Sequence, residues 1–187
     1  MAKLAVFFPG IGYTVDKPLL YYSRKLASAL DYEIRLLPYG GFPPKCKGDR
    51  ARMAESAALA YAQAEDMLRD LDLRAYEALL FVGKSIGTLV AAKLAAAHGV
   101  TERVRFVLYT PLEETFSLPL GEALVFTGAA DPWVGGAENR IPALCAERGI
   151  PCTLVPDANH SLECGNVRSD LKNLRAVMKE TERFLRS

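Results

Sequence analysis

Six short runs rich in β-branched and aromatic residues recur along the chain, near Leu4–Phe8, Glu33–Leu37, Ala78–Val82, Arg105–Tyr109, Ala123–Thr127 and Cys152–Val155. Stretches able to form amphipathic or alanine-rich helices separate most of them. Parallel strands need such crossovers, and strands covered on both faces read as nearly continuous apolar runs. The pattern predicts an α/β, three-layer sandwich: a mainly parallel six-stranded sheet with helices on both faces. Half of the 187 residues are apolar and 24% are charged, the make-up of a globular chain with one core, so a single domain over residues 1–187 is expected.

The helices follow from local signals. Asp16 is placed to cap a first helix that carries Pro18 in its opening turn and runs to about Leu30. A second, alanine-rich helix spans about Arg50–Leu71. A third starts after Ser85 and ends at His98, where Gly99 supplies a left-handed turn. A fourth covers about Ala137–Arg148. The last sets Leu171, Leu174, Met178, Thr181 and Leu185 on one stripe for the core. The irregular segment Pro38–Asp49 leaves the second strand at the carboxyl edge of the sheet, where open α/β folds bind ligands.

Charge and cysteine usage exclude several function classes. With 23 Lys+Arg against 22 Asp+Glu and no long run of either sign, no field draws in nucleic acid or an anionic membrane. The apolar runs are strand-length, the N-terminus leads straight into one, and no signal peptide or anchor is read. Cys46, Cys145, Cys152 and Cys164 show neither zinc-ligand nor disulfide-framework spacing, which fits reduced, mostly buried thiols in a cytoplasm.

Chemistry concentrates at Gly83-Lys84-Ser85-Ile86-Gly87, a G-x-S-x-G between a strand and a helix. Such a turn lifts the serine hydroxyl from the sheet edge to a helix N-terminus, where partial positive charge favours an oxyanion. The bland alternative is a serine that merely caps the helix. A P-loop is excluded because Ala78 stands where its first glycine belongs, and Val15 breaks the dinucleotide fingerprint begun by Gly10-Ile11-Gly12.

A serine nucleophile needs a base, and the chain holds two histidines. His98 lies about 20 Å from Ser85 along its helix, at 1.5 Å per residue. His160 follows the last strand and reaches the same edge. Asp131, just past the fifth strand, is the first choice to orient the imidazole, with Asp157, Glu113 and Glu114 as alternatives.

With Ser85, Asp131 and His160 in that order, nearly the whole chain resembles the α/β-hydrolase superfamily, through Gly-Lys-Ser-Ile-Gly at 83–87, Gly-Ala-Ala-Asp-Pro-Trp at 128–133 and Asn-His-Ser-Leu-Glu at 159–163. The motifs are most similar to those of small esterase or dienelactone-hydrolase-like members. The resemblance implies strand order 2-1-3-4-5-6, without the two N-terminal antiparallel strands of the full fold, and no cofactor or metal. It also implies an oxyanion hole from the backbone N–H groups of Ile86 and Ile11, in the loop Gly10-Ile11-Gly12-Tyr13 beside the substrate. Many relatives carry His-Gly where this chain has Pro9-Gly10. Thr110–Glu122 is too short for a helical cap, so Phe42 and Trp133 are expected to wall the site. The expected activity is lidless serine hydrolysis of a small acyl substrate through an acyl-enzyme. A slow or inert binding protein and an acyltransferase are the alternatives.

Overall fold

The structure, a computed structural model, describes residues 2–46 and 49–187; Lys47 and Gly48 of the predicted Pro38–Asp49 loop lie outside the described residues. Six strands, β1 (Lys3–Phe8), β2 (Glu33–Leu36), β3 (Ala78–Lys84), β4 (Val104–Tyr109), β5 (Ala123–Gly128) and β6 (Cys152–Val155), form one sheet in the order 2-1-3-4-5-6. Every pairing is parallel. Among the described residues, five α-helices connect or cover them: α1 (Pro18–Ser28), α2 (Arg50–Leu68), α3 (Ile86–Ala97), α4 (Ile141–Ala146) and α5 (Val167–Arg186).

Alternation of side chains divides the core by face. Leu4, Val6, Phe8, Leu79, Phe81, Phe106 and Val125 pack with Ala60 and Ala64 of α2 and with Val90 and Leu94 of α3. Ala5, Phe7, Leu80, Val82, Val107 and Phe126 pack with Leu19 and Leu20 of α1 and Val177 and Leu185 of α5. Because both sets are apolar, the central strands are buried at all but Ala78 and Arg105, as a sheet covered on two sides requires. No helix among the described residues is long and apolar enough to cross a membrane.

Several local expectations need correction. Asp16 does not cap α1. Pro18 takes the first helical position and holds the residue before it extended, so Lys17 becomes the cap position, without a side-chain bond. Asp16 instead pairs with Arg24 at the surface. The second helix stops at Leu68, three residues early. The predicted fourth helix divides into a 3-10 turn, Gly136–Glu138, and the short α4, because the Asn139 side chain accepts from Ile141 N–H (2.9 Å) and breaks the run. On α5 the stripe holds except at Leu171, 61% exposed in the first turns, before the helix meets the sheet.

Candidate active site

The elbow is built from close backbone approaches. β3 ends at Lys84, and Ser85 follows at φ 55°, ψ −123°, a region that side chains rarely adopt. Its N–H donates to the Tyr109 carbonyl (3.0 Å), and its own carbonyl accepts from Thr88 N–H (2.9 Å) and Thr88 Oγ1 (2.7 Å). A Cβ on Gly83 would lie 2.8 Å from Thr88 Cα, and one on Gly87 would lie 2.1 Å from the Phe8 carbonyl oxygen. Only hydrogen fits there. Gly87→Ala should therefore destabilise the fold by about 3 kcal/mol or more, since backbone must move; urea unfolding of the purified variant checks this.

Ser85 makes no side-chain cap on α3. Its Oγ lies 2.8 Å from His160 Nε2, and His160 Nδ1 lies 2.7 Å from Asp131 Oδ2. Asp131 is fully buried, and its Oδ1 accepts from Trp133 N–H (2.9 Å), so both carboxylate oxygens are engaged. This geometry suits the tautomer that donates Nδ1–H to Asp131 and turns the Nε2 lone pair to the serine hydroxyl. Trp133 stacks on the imidazole with centroids 5.3 Å apart and planes at 26°.

The acid and histidine loops brace one another. Ala130 N–H donates to the Ala158 carbonyl (2.9 Å), and a Cβ on Gly128 would meet that same oxygen at 2.2 Å. Asn159 Oδ1 accepts from Ser161 N–H (2.7 Å) and Glu163 N–H (3.2 Å), and Thr110 Oγ1 donates to the His160 carbonyl (3.1 Å). Asn139 Nδ2 donates to Thr127 Oγ1 and the Gly128 carbonyl, fixing the end of β5. Sequence reasoning missed Thr110, Asn139 and Asn159. An Asn beside a candidate loop histidine was the one available signal, as a turn former.

The other sequence candidates fall into place around this chain of bonds. Gly10 and Tyr13 close a tight turn on each other, Gly10 N–H to the Tyr13 carbonyl and Tyr13 N–H to the Gly10 carbonyl, with Gly12 at φ +70°. That pairing uses neither the Ile11 nor the Gly12 N–H. A Cβ on Gly10 would stand 3.2 Å from Ser85 Cβ, so the turn lies directly against the elbow. Ile86 heads α3, where its N–H has no acceptor one turn back. Tyr39 Oη donates to the Pro9 carbonyl (2.8 Å) and anchors the turn from behind.

Asp157 is exposed in the turn before His160, at φ 54°. Glu113 pairs with Arg140 at 3.3 Å. His98 closes α3 at its far end, 3.2 Å from Glu65. All four cysteines are free.

A cavity of about 690 Å³ opens beside Trp133. Met53, Ala57, Leu89, Leu112 and Val134 form apolar walls, and Glu113, Glu114, Glu138, Asp49, Lys93 and Arg140 border it. Ala57, Leu89 and Leu112 also pack around Ile86, with Ile11 against the same cluster, so the cavity shares a wall with the elbow. Phe42 does not line it; its ring packs edge-on against Tyr39, centroids 6.1 Å apart. Tyr13 lines a separate cavity of about 220 Å³ on the other side, with Leu162 and Leu174.

One buried charge was not foreseen. Lys84 follows Leu80 and Val82 on the α1/α5 face and is only 1% exposed, with its ammonium 4.9 Å from the centroid of the Tyr13 ring. Burial pushes its pKa down to about 7, against an upward pull from the Asp131 charge. Between about pH 7 and 10.5 the unfolded chain keeps a proton that the folded chain has released, so Lys84 makes stability rise with pH across that window. Below about pH 7 both states carry the proton and the full cost of burying the charge remains, up to about 5 kcal/mol at 1.36 kcal/mol per pH unit. Lys84→Met should accordingly be more stable than the wild type at pH 7, with the gain shrinking towards pH 10 in urea titrations.

The fold and its strand order are those of an α/β hydrolase, in a reduced form with six parallel strands. Solved structures with this fold cover nearly the whole chain at low identity. A protein of unknown function from Agrobacterium tumefaciens, described as a candidate α/β hydrolase, is 15% identical and superposes with a TM-score of 0.64 over 98% of this chain and 84% of its own. An α/β serine hydrolase homologue from Coxiella burnetii is 14% identical, with a TM-score of 0.64 over 96% and 84%. An α/β serine hydrolase without a lid from Xanthomonas campestris is 15% identical, with a TM-score of 0.60 over 98% and 84%. No family model and no curated protein matches the chain.

Proposed function

We propose that the protein is a lidless serine hydrolase that cleaves a carboxylic ester or related acyl bond through an acyl-enzyme on Ser85. The observation that carries this reading is the continuous set of short contacts Ser85 Oγ to His160 Nε2 and His160 Nδ1 to Asp131. His160 takes the Ser85 proton as Oγ attacks the acyl carbon, and Asp131 steadies the imidazolium that forms. The tetrahedral oxyanion is held by the N–H groups of Ile86 and Ile11. His160 then gives its proton to the leaving group. It next draws a proton from water, whose oxygen attacks the acyl-enzyme, and returns that proton to Ser85 Oγ as the bond to the acyl carbon breaks.

Trp133 and the cavity behind it, with its apolar walls, support a substrate with an apolar part, while the charged border leaves room for a polar one. The Xanthomonas campestris protein described as lacking a lid supports the lidless reading, as does the 3-10 turn Glu113–Ser117 that stands between β4 and β5 here. The test is hydrolysis of p-nitrophenyl esters of graded acyl length by purified protein. Turnover that falls as acid protonates His160 is expected. A panel hydrolysed no faster than in buffer contradicts the proposal.

A further inference from the structure

A lysine with an apolar isostere available is an expensive choice at a fully buried position, and Lys84 forms no salt bridge among the described residues. A residue kept against stability beside a reactive centre points to function. Lys84 is the residue before Ser85, and its Cγ lies 3.5 Å from where a Gly10 Cβ would be, so its side chain runs beneath the Gly10–Tyr13 turn. The ammonium ends against the Tyr13 ring, whose hydroxyl accepts from Leu19 N–H (3.0 Å). The turn that carries the Ile11 N–H is thus held from below by the residue adjoining the nucleophile.

We propose that Lys84 is a charged positioning residue: its ammonium pins the Gly10–Tyr13 turn, and with it the Ile11 N–H, to the elbow through Tyr13. This rests on the hydrolase reading above. The titratable and charged groups around Lys84 come from four elements. Tyr13 stands in the turn after β1, with Glu163 acting on it; Tyr109 is the β4 residue in register with Lys84; Asp131 follows β5; and His160, bonded to Asp131, follows β6. Both tyrosines are held neutral over the working range, because burial pushes the Tyr13 phenol well up and the Tyr109 phenol to about 12. The cation on the turn is therefore gained or lost with the proton on Lys84 alone. A positive ring contact of this kind is worth more when desolvated than at a surface.

One change in the pH profile follows. In the wild type, activity has an acid limb from His160 and an alkaline limb as Lys84 loses its proton. In Lys84→Met the alkaline limb disappears and the acid limb stays where it is in the wild type. At neutral pH, kcat falls about 10-fold or more with KM little changed, as expected for an interaction made chiefly in the transition state. Lys84→Arg, which keeps the charge, retains the acid limb and moves the alkaline limb upward.

The experiment measures the rate of Ser85 modification by a fluorophosphonate probe, and of p-nitrophenyl ester hydrolysis, from pH 5 to 10 for the wild type and both variants. Circular dichroism confirms folding of each. Should Lys84→Met not fold, the comparison of wild type with Lys84→Arg still decides, since only a titrating Lys84 makes their alkaline limbs differ. Identical limbs in all folded forms overturn the inference while leaving the hydrolase reading intact. A wild type that neither labels nor turns over at any pH overturns the hydrolase reading itself.

Discussion

Ser85→Ala should lower kcat on an activated ester by about 10⁴-fold while leaving the fold unchanged. The size follows from the site: Ser85 Oγ is the hydroxyl that meets His160 Nε2 at the elbow, so its loss removes the covalent route altogether. The fold survives because the Ser85 side chain does not cap α3, and the backbone bonds that hold the turn, Ser85 N–H to Tyr109 and Thr88 N–H to Ser85, do not involve it. Steady-state kinetics on purified samples and a urea melt check the two halves separately. Wild-type turnover in the variant would remove Ser85 from the chemistry.

Asp131→Asn should cost nearly as much, for a different reason. Asp131 Oδ1 accepts from Trp133 N–H, so the asparagine carbonyl stays on that bond and its NH₂ group turns towards His160 Nδ1. Facing a donor, Nδ1 must accept, which places the imidazole proton on Nε2. That nitrogen then points a hydrogen at Ser85 and cannot take one. A fall in kcat of about 10³ to 10⁴-fold at neutral pH is expected, with fluorophosphonate labelling slowed in parallel. A variant within 10-fold of wild type would show that the carboxylate has no part in the proton transfer.

Much of the architecture was readable because the strands carry apolar residues on both faces and alternate cleanly, as in Leu79-Leu80-Phe81-Val82. A parallel sheet leaves little freedom once its strands are found, and the resemblance supplied their order. The Ser85, Asp131 and His160 candidates were found because each follows a strand at the carboxyl edge. What stayed hidden depended on distant loops or on competition between local signals. Pro18 displaced Asp16 from the cap, and Asn139 outbid the helical run of residues 137–148. Phe42 was assigned to the site as a loop aromatic, but its neighbour Tyr39 holds it against the core. The cavity beside Trp133 is assembled from α2, α3 and two loops, so no single stretch announces it. Lys84 enters the motif only as an x of G-x-S-x-G and as the lysine of an excluded P-loop, although the two-residue alternation from Leu80 and Val82 points it inward.

The most direct measurement is mass spectrometry of the intact protein and its peptides after treatment with a fluorophosphonate. The account predicts a single adduct, on the peptide carrying Ser85, formed rapidly by the wild type and at least 100-fold more slowly by His160→Ala. No adduct on the wild type, or one on another residue with Ser85 untouched, would contradict it.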